Sequence, residues 1–106
     1  MPSYFELHGF IAWSIEAWNR RMTIWHFYVD LPYRQRGAGR LLMDAALDDA
    51  RRVAAAMVWV ETSHVNGPGI AAYQRLGFEI CGFDATLYRG TSSPDEAAVY
   101  MARLIE

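Results

Sequence analysis

The sequence predicts a mixed α/β fold, in which one sheet of about five strands carries two helices in the order ββαβαββ. Three observations predict it: apolar residues alternate near the N-terminus, they recur every three or four positions in the middle of the chain, and a continuous apolar run follows. A length of 106 residues with 53% hydrophobic side chains fits one core, so we expect residues 1–106 to form a single domain.

Two strands form the predicted start of the sheet. Alternation of apolar side chains predicts a strand over residues 9–18, and the β-branched and aromatic run from Met22 to Val29 predicts a second strand. The polar residues Asn19, Arg20 and Arg21 separate the two runs. We therefore expect the two strands to pair as a hairpin.

The middle of the chain predicts a crossover between parallel strands. Apolar residues three or four positions apart predict an amphipathic helix within residues 38–56. The apolar run from Met57 to Val60, which ends at Glu61, is typical of a buried strand. Strand, helix and strand together predict a parallel pair joined by the helix.

A short helix and a hairpin complete the predicted fold. Asn66 can cap a helix that has Pro68 in its first turn and Gly77 as its closing left-handed residue. Residues 78–88 and 97–105 then predict two strands, joined by a turn-rich loop, that pair antiparallel.

Composition excludes several function classes. A formal charge of −2 provides no basic field for nucleic acid, and the apolar runs are shorter than the roughly 20 residues needed to cross a membrane. His8, His26 and His64 are scattered and Cys81 stands alone, so we expect no metal site and no intrachain disulfide. A reducing, cytoplasmic compartment fits this cysteine content best.

The segment from Val29 to Arg40 has the features of an anion site between a strand and a helix. Gly37 and Gly39 let the backbone approach a phosphate, and the first turn of the helix offers N–H groups and the positive end of its dipole. Arg34, Arg36 and Arg40 would add positive charge around a pyrophosphate. The segment lacks the third glycine of a dinucleotide fingerprint and the Gly-Lys-Ser/Thr of a P-loop, which excludes both motifs.

Two blocks of the sequence resemble the GCN5-related N-acetyltransferases. Arg34-x-x-Gly37-x-Gly39 matches the family signature Gln/Arg-x-x-Gly-x-Gly/Ala, and it lies between the expected strand and helix. A second block, from Asn66 through Tyr73 to Gly77-Phe78, is similar to the later family block in which an Asn opens a helix and a Tyr precedes Gly-Phe. The runs Val60-Glu61-Thr62, Gly82-Phe83-Asp84 and Leu87-Tyr88 are most similar to the streptothricin acetyltransferase branch.

The resemblance implies acetyl-CoA as co-substrate. In the family, the strand matching residues 25–29 separates from the strand matching residues 57–61, and the pantetheine arm inserts between them. The amides of residues 36–40 would then hold the pyrophosphate. The cofactor-binding residues that the resemblance implies are Phe27, Tyr28, Val29, Arg34, Gln35, Arg36, Gly37, Ala38, Gly39, Arg40, Asn66 and Tyr73.

The resemblance also implies catalytic roles. Tyr73 matches the usual acid that protonates the departing thiolate. The Glu that serves as general base in similar proteins is replaced here by Trp25, so the base stays open between Glu61 and His26, with Glu16 more remote and an external base or none as further alternatives. Period two turns His26 away from the site unless a bulge re-aims it.

The acceptor side is the least defined part of the prediction. Members of the family usually begin with a strand and two helices before the segment that matches residues 9–18, and these helices form part of the acceptor wall. We expect a small-molecule primary amine, such as that of an antibiotic, as acceptor, and a homodimer that compensates for the uncovered strands. The alternatives are a non-catalytic acyl-CoA-binding or partner-binding module, or an interaction domain that does not bind CoA.

Overall fold

The computed structural model of the chain describes residues 9–29 and 37–105. The elements follow the predicted order ββαβαββ. They are β1 (Gly9–Glu16), β2 (Arg21–Val29), α1 (Ala38–Arg52), β3 (Met57–Ser63), α2 (Gly67–Arg75), β4 (Glu79–Asp84) and β5 (Ala98–Leu104).

The strands form a single sheet in the order β1-β2-β3-β5-β4. The hairpin β1–β2 is antiparallel, as are the β3–β5 and β4–β5 pairs. The β2–β3 pair, which α1 connects, is parallel. The mixed sheet, the hairpin at its start and the parallel pair joined by a helix are therefore confirmed.

Helix α1 is shorter than its predicted range. It begins after Gly37, whose φ of 83° suits glycine, and its last residue is Arg52, after which Ala54 adopts a left-handed φ of 57°. The amide of Ala55 then donates to the Ala50 carbonyl, which closes the last turn. The amphipathic helix predicted within residues 38–56 is thus confirmed, and it stops four residues before the end of that range because the chain reverses at Ala54 to enter β3.

Helix α2 has the predicted caps. The Asn66 side chain accepts a hydrogen bond from the Gly69 amide at 3.1 Å, and Gly77 has a φ of 93° directly after the helix. Two arginines bind carbonyls at its C-terminal end: Arg40 donates to Arg75 O at 3.2 Å and Arg103 to Leu76 O at 2.8 Å. These contacts fix α2 against α1 and β5.

Strand ends differ from the prediction where side chains bind the backbone. The predicted strand over residues 78–88 stops at Asp84, because the carboxylate of Asp84 accepts both the amide and the hydroxyl of Thr86 at 2.8 Å. The first strand ends at Glu16 instead of residue 18, and β3 continues three residues beyond Val60.

The sheet has two faces of different character. The helix face, against which α1 packs, contributes Met22, Val58, Val60 and Met101 to the buried core. The side chains between these residues in each strand point to the opposite face, which is here called the far face. On the far face Arg21 lies over the ring of Trp59, Trp59 stacks on Tyr100, and Glu61 is opposite Tyr100 in the β3–β5 register.

Candidate functional site

The parallel strands β2 and β3 separate shortly after they begin. They pair only over residues 21–23 of β2 and 57–59 of β3. Beyond Thr23, β2 continues to Val29 in register with β1, whereas β3 continues to Ser63 in register with β5. The two strands therefore open a gap at their carboxyl ends, which is where α/β sheets place ligands.

A bulge in β2 sets which side chains flank this gap. The register passes from Ala12 opposite His26 to Trp13 opposite Ile24, so Trp25 is an extra residue in β2. Because of this extra residue, Ile24 and Phe27 both reach the core on the helix face. The bulge on which the orientation of His26 depends is thus present. It places His26 on the far face, whereas Phe27, the next residue, lies on the helix face.

The start of α1 lies beside the end of β2. A Cβ built at Gly39 would lie 3.7 Å from the Phe27 ring and 3.9 Å from a methyl of Val29, so the helix backbone passes close to the strand. The helix ladder begins with the Leu41 amide, which donates to Gly37 O at 2.9 Å. The amides of residues 38–40 precede this ladder, and the first turn contains no acidic residue.

The remaining part of the predicted anion segment is not described by the structure. Arg34, Gln35 and Arg36 lie outside the described residues. The part that is described, from Gly37 to Arg40, places a left-handed glycine and a helix N-terminus at the edge of the gap. This geometry suits an anion whichever way the preceding arginines lie.

Tyr73 lies on α2 and faces the β2 side of the gap. Its ring contacts Phe27 at 6.1 Å and Phe78 at 5.5 Å between centroids. Burial raises the pKa of the Tyr73 hydroxyl above its usual value, and the negative charge of Glu61 raises it further. The Tyr73 hydroxyl is therefore within reach of the charge of Glu61 on β3.

Glu61 lies near the carboxyl end of β3 on the far face. Its carboxylate oxygen Oε2 accepts a hydrogen bond from the hydroxyl of Tyr88. Burial raises the pKa of Tyr88 well above its usual value, and the bond and charge of Glu61 add to this effect. Tyr88 had no assigned role in the sequence, because nothing in the pattern shows that the loop after β4 returns to β3.

The other candidate base lies on β2. His26 is exposed, its ring lies 6.5 Å from that of Phe10, and in the described part of the chain it makes no hydrogen bond or ion pair. Trp25, at the position of the usual base, is 62% exposed and donates from its indole Nε1 to Ser14 Oγ at 2.7 Å. His26 and Glu61 therefore lie on the same face of the sheet, on the two strands that separate.

Asn66 links β3 to α2. Its Oδ1 caps α2, and its Nδ2 donates to the hydroxyl of Thr62 at 3.0 Å. The side chain thus fixes the direction in which α2 leaves the end of β3, and with it the place of Tyr73 at the gap. Among the described residues, the second amide hydrogen of Asn66 has no partner.

Metal-binding clusters and membrane-spanning helices are both absent from the described residues. Within residues 9–29 and 37–105, no three His, Cys, Asp or Glu side chains cluster in a way that could hold a metal ion. Over the same ranges, neither helix is long and apolar enough to cross a membrane.

Comparison with known proteins places this geometry in a family. Residues 6–78, more than half of the chain, match the model of the acetyltransferase (GNAT) family. A curated relative, streptothricin acetyltransferase from Streptomyces lavendulae, is 47% identical over 97 residues, which are 92% of this chain and 51% of that protein. The chain thus spans about half the length of this relative.

Solved structures agree with the family match. Nourseothricin acetyltransferase superposes with a TM-score of 0.92 at 42% identity, over 95% of this chain and 59% of that one. A Bacillus anthracis protein assigned as a streptothricin acetyltransferase, solved in complex with acetyl coenzyme A, superposes with a TM-score of 0.85 at 32% identity, over 92% of this chain and 56% of that one. The separated parallel strands and the glycine-led helix beside them are thus those of an acetyltransferase fold, and the chain belongs to the GNAT family.

Proposed function

We propose that this chain binds acetyl-CoA and transfers the acetyl group to a primary amine of a small molecule, and that residues 1–106 act as one domain in this reaction. The observation that carries the proposal is the gap between β2 and β3, which opens after three residue pairs and has the start of α1 at its edge. The similar Bacillus anthracis protein, which was solved with acetyl coenzyme A, supports the co-substrate. The similarity to streptothricin acetyltransferase supports an antibiotic amine as acceptor.

The co-substrate would bind along the gap. The pyrophosphate would meet the amides from Gly37 to Arg40, with Arg34, Gln35 and Arg36 preceding them in the chain. The pantetheine arm would run along β2 at Phe27, Tyr28 and Val29, and the second amide hydrogen of Asn66 would meet it from the other side. The pyrophosphate would thus lie at a helix N-terminus, and the amides of the pantetheine arm would lie along the separated strand β2.

The reaction is a direct acyl transfer. The neutral amine nitrogen attacks the thioester carbonyl carbon, a C–N bond forms, and the C–S bond breaks as the tetrahedral intermediate collapses. Tyr73 would give its proton to the departing thiolate, which leaves as the thiol of CoA. Glu61 would accept the proton lost by the amine, through a water, because it lies near the carboxyl end of β3, beyond the point where the two strands separate. His26, on the same face of β2, is the alternative base.

Turnover of the Tyr73→Phe variant tests this assignment. Thiol release from acetyl-CoA is measured with a panel of primary amines, and CoA affinity is measured by calorimetry. We expect Tyr73→Phe to lower kcat by about a hundredfold or more while the Kd for CoA changes less than about twofold, because the ring still packs on Phe27. Unaltered turnover would remove Tyr73 from the acid role.

A second function is favoured by one observation. Trp25 occupies the place of the usual base and is held to Ser14 on β1, away from the gap. A chain without a working base would be an acyl-CoA-binding or partner-binding module. Calorimetric binding of CoA with no thiol release from any amine would establish this alternative in place of catalysis.

We also propose that the protein acts as a cytoplasmic homodimer. In the described part of the chain β1 pairs only with β2, and the far face of this hairpin exposes Phe10, Trp25 and Tyr28 by 42–62%. A second copy would cover this surface. Sedimentation should give a mass about twice 12.1 kDa at micromolar concentration, and Trp25→Arg should give the monomer. A monomeric mass for the unsubstituted protein would contradict the dimer.

A further inference from the structure

Tyr88 lies on a loop that is anchored to β3. The loop, residues 85–97, connects β4 to β5. Near its end Glu96 accepts a hydrogen bond from the hydroxyl of Ser63, and the Ala97 amide donates to His64 Nδ1 at 2.9 Å. Beside Tyr88 itself, the Thr91 hydroxyl donates to the Tyr88 carbonyl at 2.7 Å. These bonds hold the loop so that it returns from β4 to the carboxyl end of β3.

The loop places the hydroxyl of Tyr88 against one carboxylate oxygen of Glu61. In the described part of the chain, Tyr88 is the only side chain that donates a hydrogen bond to Glu61, and it does so at Oε2. This leaves Oε1 to accept a proton from another partner. Because folding raises the pKa of the Tyr88 hydroxyl, Tyr88 keeps its proton at neutral pH and remains a donor.

The surroundings of the pair are mostly acidic or neutral. The negative charge of Glu61 raises the pKa of three hydroxyls, those of Tyr73 on α2, Tyr100 on β5 and Tyr88 on the loop. Asp84 at the end of β4 has the same effect on the pKa of Tyr100, and Glu96 on that of Tyr88. The Tyr88 hydroxyl is therefore a neutral donor to Glu61 among acidic neighbours.

We infer that Tyr88 is a positioning residue for Glu61. This inference rests on the proposed function, since it gives Tyr88 a part in the proton transfer from the acceptor amine. The Tyr88 hydroxyl holds Oε2 of Glu61 and so fixes the orientation of the carboxylate, which leaves Oε1 to accept the proton. A base fixed in this way is oriented by a third group, which is the usual arrangement of a working acid–base site.

Tyr88→Phe removes the hydroxyl and keeps the ring. We expect kcat/KM to fall about tenfold to a hundredfold through kcat, while the Kd for CoA changes less than about twofold. Tyr100→Phe is the matched control, because Tyr100 lies opposite Glu61 in register but in the described residues donates no hydrogen bond to it. Tyr100→Phe should keep kcat within about threefold. A merely structural role for Tyr88 would instead lower the free energy of unfolding and weaken CoA binding together with the rate.

A readout without activity separates this inference from the proposed function. With 3-fluorotyrosine incorporated, the fluorine resonance of Tyr88 is identified by its loss in Tyr88→Phe. Its titration should lie at higher pH than in Glu61→Gln, since the charge of Glu61 helps to keep Tyr88 protonated. Equal titrations would show that the bond is absent and would overturn the inference.

The two failures give different results. If the unsubstituted protein transfers acetyl groups and Tyr88→Phe keeps the same kcat, the positioning role is wrong and the proposed function stands. If the fluorine titration shows the bond but no amine is acetylated, the proposed function is wrong, and the role of Tyr88 in proton transfer is wrong with it.

Discussion

The two faces of the sheet are held together by different interactions. On the helix face, apolar side chains such as Met22, Val58 and Met101 are fully buried against one another. On the far face, single contacts join pairs of side chains. The guanidinium of Arg21 lies 4.3 Å from the centre of the Trp59 ring, and the Tyr88 hydroxyl donates to Glu61. The helix face thus gains its free energy from area removed from water, and the far face from a few directed contacts whose net contributions are small.

The gap between β2 and β3 is where the two faces meet. Tyr73 reaches it from the helix face through its contacts with Phe27 and Phe78, whereas Glu61 reaches it from the far face. The packed helix face thus positions one candidate group, and the hydrogen bond on the far face positions the other. Damage to either face should therefore affect the site, but through stability on one face and through proton transfer on the other.

The largest expected effect is a loss of folding stability when a buried ring of the helix face is removed. Phe78→Ala removes a ring that is 2% exposed and in contact with Tyr73, so we expect the free energy of unfolding to fall by about 3–5 kcal/mol. The measurement is chemical denaturation at equilibrium. Phe83→Ala, in the next strand, is the matched control because the same side chain is 75% exposed there, and it should cost less than about 1 kcal/mol. Equal losses would contradict the difference between buried and exposed rings.

The helix face was also the part that the sequence predicted best. Apolar residues that face the core recur with the period of their helix or strand. The apolar pattern therefore predicted α1, β3 and the order of the helices and strands. The caps of α2 followed from Asn66 and Gly77, because capping depends on residues close in sequence. Local chemistry and burial were therefore enough for the architecture.

The far face and the gap were predicted less fully. The extra residue at Trp25 breaks the alternation without any sign in the composition of β2, so the orientation of His26 could only be stated as depending on a bulge. The bond from Tyr88 to Glu61 joins residues 27 positions apart, and no local pattern contains it. Long-range polar pairs depend on how the loop folds back, and this is fixed only in three dimensions.

The smallest expected effect concerns alkaline pH and probes the far face. Burial comes first among the causes that raise the pKa of Tyr73, Tyr88 and Tyr100 above the usual value, so the folded chain binds these protons more tightly than the unfolded chain does. Above about pH 10 the unfolded state releases protons that the folded state keeps, so the free energy of unfolding must fall as pH rises. Below that pH the contribution is fully present, and stability should change little there through these groups.

Unfolding at a series of alkaline pH values measures this slope. Tyr88→Phe removes one of the three protons, so its free energy of unfolding should fall less steeply above about pH 10 than that of the unsubstituted protein. Phe83→Ala should keep the full slope, because Phe83 carries no titrating group and is exposed. If Tyr88→Phe kept the same slope as Phe83→Ala, Tyr88 would not hold its proton more tightly in the folded chain. The far face would then lack the bond that distinguishes it from the helix face.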